Sequence, residues 1–113
     1  MNLSELARKK CVPCKGGTKP VSRDEAATYL GELKGWSASD DGKQISREFL
    51  FDTFANAMIF VNCVAHLSDE EGHHPDMYIF YNKVRITLYT HAIGGLSVND
   101  FIIAAKITED CAN

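Results

Sequence analysis

The strongest constraint on this chain is one stretch of its second half, residues 69–100: D-E-E-G-H-H-P-D-M-Y-I-F-Y-N-K-V-R-I-T-L-Y-T-H-A-I-G-G-L-S-V-N-D. Residues 77–81 and 84–90 alternate in side-chain character and are rich in β-branched and aromatic types, the pattern of two strands. Only Asn82 and Lys83 separate them, which predicts a two-residue hairpin loop with Asn where a positive φ is favoured. That loop predicts a register of Tyr81 opposite Val84, Ile79 opposite Ile86 and Met77 opposite Leu88, an apolar row facing the core. Continued on the other face, the same register sets His74 across from His91, with Tyr78 and Thr87 further along. Two imidazoles distant in sequence are thus expected side by side, away from the core.

The 113 residues suit one domain and are too few for two. A net charge of −3 offers no clustered positive field for nucleic acid or an anionic membrane. No apolar run approaches the ~20 residues of a membrane helix, and M-N-L-S-E-L-A-R-K-K lacks a signal-peptide core. Four cysteines without regular spacing do not read as a disulfide framework, so the cytoplasm is the expected compartment.

Residues 1–21 read as an irregular N-terminal leader containing Cys11-Val-Pro-Cys14 and Gly16-Gly17. Structural zinc needs four ligands and no second such pair follows; a redox pair would open a helix, whereas this one runs into glycines. A leader packed against the domain is the expectation. Residues 22–113 read as that single domain. Ser22-Arg-Asp-Glu25 is a capping box opening a helix to about Leu33, with Ala26, Leu30 and Leu33 on one face and Gly35 ending it. Trp36 starts a short strand and is expected in the core; after the Asp40-Asp41-Gly42-Lys43 turn, residues 44–51 make a second strand. Residues 53–68 form a central helix with two apolar stripes, one through Phe54, Ala57, Met58, Val61, Val64 and Ala65 and the other through Ile59, Phe60, Cys63 and Leu67. One sheet covers only one stripe, so self-association is expected, with Cys63 a small buried hydrophobe and His66 structural. Pro75 biases His74 towards an extended conformation, and the last helix, 97–108, opens at Ser97 with Asp100 three residues on.

His73, His74 and His91 are numerous enough for a catalytic zinc site, but adjacent histidines on an extended segment point to opposite sides. The alternative is acid–base chemistry, since imidazole titrates near neutrality and both gives and takes protons.

The residues also resemble a known family. D-x-x-x-H-H-P, five residues, Tyr81, nine residues, His91, eight residues, Asp100 is similar to the signature of pterin-4a-carbinolamine dehydratases. Y-N-K-V at the turn, Thr90-His91, G-L-S before the last helix and the C-x-P-C-x-G-G-x-x-P leader resemble it too, the leader in its bacterial, plant and protist branches. Met77 departs from a frequent Trp, and Asp69 from a frequent Glu. The resemblance implies an α+β fold, a four-stranded antiparallel sheet with helices on one face, consistent with the order α-β-β-α-β-β-α read above. It implies dehydration of 4a-hydroxytetrahydropterin to quinonoid dihydropterin, recycling the cofactor of aromatic amino-acid hydroxylases, with no metal or cofactor of its own. It implies His73 and His91 as general acids, His74 as substrate-binding residue and candidate base, and Asp69, Pro75, Asp76, Tyr81, Thr90 and Asp100 around the substrate. It further implies homo-oligomers, dimers pairing into tetramers. The competing roles are a protein-binding module, as in the dimerisation cofactors of a homeodomain transcription factor among animal members, and an accessory part in pterin or molybdopterin metabolism.

Overall fold

A computed structural model describes residues 2–13 and 19–112. Its elements in chain order are helices α1 (Leu3–Ala7) and α2 (Arg23–Leu30), strands β1 (Ser37–Ala38) and β2 (Ile45–Leu50), and the long helix α3 (Phe54–Glu71). Strands β3 (Asp76–Phe80) and β4 (Lys83–Leu88), a 3-10 turn (His91–Ile93), helix α4 (Val98–Lys106) and a π-helical turn (Ile107–Cys111) complete it. The strands form one four-stranded antiparallel sheet in the order β1-β2-β4-β3. Ile45, Phe49, Val84, Ile86 and Leu88 point into a core closed by Ala57, Phe60, Val61 and Val64 of α3 and Phe101 to Ala105 of α4. Trp36 is buried as expected; its indole N–H donates to Thr108 Oγ1 at 3.0 Å and its ring meets Phe49 edge-on.

The hairpin register differs from the sequence expectation. Phe80 pairs with Lys83, Ile79 with Val84 and Met77 with Ile86, so the loop is Tyr81-Asn82. Tyr81 takes the positive φ, +53°, that the sequence reading gives to Asn82. Asn82 is instead committed to the end of β2: its side-chain amide donates to the Phe51 carbonyl at 2.9 Å, and its own carbonyl accepts from the Phe51 N–H at 2.8 Å. The pairing slips by an even number, which keeps Val84, Ile86 and Leu88 in the core, but Ile79 and Tyr81, expected in the same buried row, are exposed at 42% and 71%. What is lost is the cross-strand pairing of His74 with His91. β3 begins only at Asp76 and β4 ends at Leu88, which leaves both histidines outside the ladder.

Further expectations change in the leader and along α3. The leader is not wholly irregular: Asn2 caps α1, and Leu6 and Ala7 are buried against α4. The second stripe of α3 is partly covered by the chain itself. Phe60 is in the core against Phe49 and Phe51, at centroid distances of 4.6 and 5.1 Å. Cys63 is disulfide-bonded to Cys111 rather than a free buried thiol, so the π-helical turn is tied onto α3. Only Ile59 of that stripe stands well into solvent, at 68% exposure. His66 is a surface residue, paired with Glu70 one turn on at 2.9 Å. No helix among the described residues is long and apolar enough to cross a membrane.

Candidate active site

The site begins where α3 stops. Gly72 adopts the left-handed conformation at φ +66°, where no side chain is tolerated cheaply, and the next N–H, of His73, bonds back to the Ser68 carbonyl at 3.2 Å. This reversal turns His73 inward towards the start of α4. There Asp100, fully buried, is held near the N-terminus of α4, where the helix dipole favours an anion.

Every contact of Asp100 has a defined sense. Oδ2 accepts from the Ser97 backbone N–H at 2.9 Å and from the Thr90 hydroxyl at 2.8 Å. Oδ1 lies 2.7 Å from His73 Nε2. The Thr90 hydrogen is spent on Asp100, so the Ser97 hydroxyl donates to Thr90 Oγ1 at 2.7 Å. An ionised carboxylate only accepts, which puts the proton of neutral His73 on Nε2 and leaves Nδ1 with the lone pair. The ring is only 14% exposed and fixed in orientation, with one nitrogen held by the protein and the other left for a ligand. One side chain thus serves as the helix-start carboxylate expected at Ser97-x-x-Asp100 and as the hydrogen-bond partner of His73.

A cavity of about 390 Å³ opens beside this pair, within the range of small-molecule sites. Its lining combines Glu71, Gly72 and His73 after α3, Thr90 and Ala92 after β4, Asn99 of α4, and Cys11, Val12 and Pro13 of the leader. The other expected site residues are placed around it unevenly. His74 turns outward to Asp69, Nε2 to Oδ1 at 2.9 Å. His91 opens the 3-10 turn directly after Thr90, exposed, with its ring 4.4 Å from that of Tyr89. Asp76 accepts a hydrogen bond from Tyr89; burial first, then the charge of Asp76, pushes the Tyr89 hydroxyl above its ordinary range and keeps it a donor. Pro75 lies between His74 and the start of β3. Tyr81 is not brought to this cluster within the chain. It sits at the hairpin tip, stacked on Phe54 at 6.5 Å, a strand length of ~17 Å from Asp76.

Among the described residues no group of three His, Cys, Asp or Glu side chains is placed to hold a metal ion. The second cysteine of the C-x-x-C pair, Cys14, lies outside the described residues. Cys11 is a protonated thiol: burial, then the neighbouring Glu71 carboxylate, pushes it up to about 12. Tyr89 and Asn99 were not singled out in the sequence. Only Tyr89, directly before Thr90-His91, carried a positional hint.

A small α+β domain here buries a carboxylate against one imidazole beside a cavity, an arrangement of groups able to give and take protons. The family model described as pterin 4 alpha carbinolamine dehydratase matches residues 19–109. A Nitrosomonas eutropha protein provisionally named pterin-4-alpha-carbinolamine dehydratase is 50% identical over 107 residues, covering 94% of this chain and 93% of its own. A similarly named Alkaliphilus metalliredigens protein is 45% identical, covering 93% and 95%. Among solved structures, a transcriptional coactivator/pterin dehydratase from Brucella melitensis superposes with a TM-score of 0.79 at 30% identity, over 84% of this chain and all of that one. A pterin dehydratase-like RuBisCO assembly factor of the α-carboxysome follows at a TM-score of 0.57 and 26% identity, over 65% of this chain and 84% of its own. The chain belongs to the pterin-4a-carbinolamine dehydratase family, and with it to the hydro-lyases.

Proposed function

We propose that the protein dehydrates 4a-hydroxytetrahydropterins to quinonoid dihydropterins by general acid–base catalysis, recycling a reduced pterin in the cytoplasm. The observation that carries this reading is the buried Asp100 at 2.7 Å from His73. In the reaction the C4a–O bond breaks as its oxygen takes a proton and leaves as water, and a ring nitrogen gives up a proton. His73, fixed through Nε2, gives the departing oxygen its proton from Nδ1 when the ring enters the step as imidazolium, and keeps the lone pair there afterwards. His91, exposed at the 3-10 turn where a substrate can reach it, is the second acid. His74, with Asp69 behind it, binds the substrate and accepts the ring proton. Pro75, Asp76 and Thr90 shape the surroundings. Residues 22–113 form the catalytic domain, with 1–21 added to it. No metal or cofactor enters these steps.

Assembly is part of the same reading. β3 is an edge strand bearing exposed Tyr78, Ile79 and Phe80, and α3 exposes Phe54 and Ile59. Edge pairing and helix packing would cover them, giving a dimer of dimers and offering Tyr81 a route to a neighbouring copy's site. Light scattering is expected to return a tetramer, and Ile59→Glu to lower that mass.

The deciding experiment is a dehydration assay with 4a-hydroxytetrahydropterin. The wild-type protein should accelerate water loss, and His91→Ala should slow it roughly 10²-fold while remaining folded. A wild type without activity would favour the alternative, a protein-docking role for the exposed apolar residues.

A further inference from the structure

Asn99 and Glu71 have no part in the reading above, yet each sits beside a member of the buried pair. Asn99 precedes Asp100 directly, and Glu71 lies two residues before His73. Both hold the same segment, residues 11–13. The buried Asn99 amide reads both backbone groups of Val12: Oδ1 accepts from the Val12 N–H at 3.0 Å, and Nδ2 donates to the Val12 carbonyl. Glu71 Oε1 accepts from the Cys11 N–H at 2.9 Å, and the Cys11 thiol lies 3.8 Å from the Asn99 carbonyl. Behind them the Lys106 ammonium donates to the Ala7 carbonyl at 2.6 Å and stands 4.0 Å from Glu71 Oε2. These contacts are to the backbone of the segment, so they set where it runs beside the cavity. Val12 and Pro13 line it together with His73, Thr90 and Ala92.

We infer that residues 11–13 are a fixed wall of the pterin cavity and select substrate by size, with Asn99 and Glu71 as the positioning residues that hold this wall in register with His73 and Asp100. The inference rests on the dehydratase reading and adds a specificity element to it. A wall of Val12 and Pro13 offers apolar surface to one face or substituent of a flat bicyclic ligand, while the polar groups of the same cavity handle its protons. Wall residues touch substrate alike before and during reaction, so their loss weakens binding more than turnover.

Steady-state kinetics on the full chain test this with two 4a-hydroxytetrahydropterins, one bare at C6 and one with a three-carbon substituent there. Asn99→Ala should raise KM roughly tenfold with kcat changed much less, and amide exchange at Val12 should accelerate. Val12→Trp, which leaves both anchors in place, should raise KM more for the larger substrate than for the smaller. Should Asn99→Ala fail to fold, Val12→Trp and Glu71→Gln carry the test. Unchanged KM for both substrates in an active enzyme would overturn the wall and leave the dehydratase reading standing. A wild type that dehydrates neither substrate would overturn both.

Discussion

Two neighbouring histidines, His73 and His74, each face an aspartate at almost the same distance, 2.7 and 2.9 Å, and they are not equivalent. The His73 pair is shut in, its side chains 14% and 0% exposed. The His74 pair lies in water, at 63% and 81%. In water, counter-ions and side-chain entropy reduce such a pair to about 0–1 kcal/mol. Inside, an unmatched carboxylate or donor has no solvent to fall back on, so each partner holds the others in place. Distance alone does not separate a structural fixture from a surface contact; the surrounding dielectric does.

The largest expected effect is at Asp100. Asp100→Ala strips acceptors from His73, Thr90 and the Ser97 N–H together, and should lower unfolding free energy by about 2–5 kcal/mol in denaturant titration. Dehydration should fall at least as far as in His73→Ala, roughly 10²-fold. If His73→Ala kept near-wild-type turnover while Asp100→Ala did not, the pair would be structural and the comparison would lose its functional half. His73→Ala should cost about 1–3 kcal/mol of stability, because Thr90 and Ser97 still hold the carboxylate. Asp69→Ala is the outside counterpart, and its unfolding midpoint should move by the equivalent of no more than ~1 kcal/mol. A loss above twice that would break the contrast.

The smallest effect concerns Cys11, half-buried beside Glu71. With the folded thiol pushed from 9.0 up to about 12, alkylation near pH 9 should be slow in the folded protein and fast once it is unfolded. The sign for stability follows. The folded state binds this proton more tightly, so the contribution is intact below pH 9 and is lost as pH climbs towards 12. Alkylation at the rate of a free thiol would show that residues 11–13 are not seated against Glu71.

Much of the fold was legible because its determinants are local. Ser22 before Glu25, Trp36, the alternation of β2 and β4 and the apolar periodicity of α3 all act within a turn or two of chain. The hairpin register was not, because Asn82 is used by Phe51, 31 residues away, and no hairpin rule contains that contact. The Cys63–Cys111 bond was hidden for a similar reason: its 48-residue separation has no motif, and only the fold brings the two together. The histidines and Asp100 could be chosen from the sequence, but their grouping could not. That depends on Gly72 reversing the chain after α3 and on Thr90 facing Ser97 across the turn after β4.

That disulfide has a topological consequence. Joining Cys63 to Cys111 closes the chain into a ring, and every candidate site residue from Asp69 to Asp100 lies on it. The chain that stays outside the ring carries α1, α2, β1, β2 and the wall segment. On a chain-entropy account, a ring of this size removes roughly 4 kcal/mol worth of freedom from the unfolded ensemble. The oxidised protein would therefore keep its proton-handling groups tethered within one covalent circle even when the sheet has come apart, and would return to the His73–Asp100 arrangement from a smaller set of conformations than the reduced chain must search.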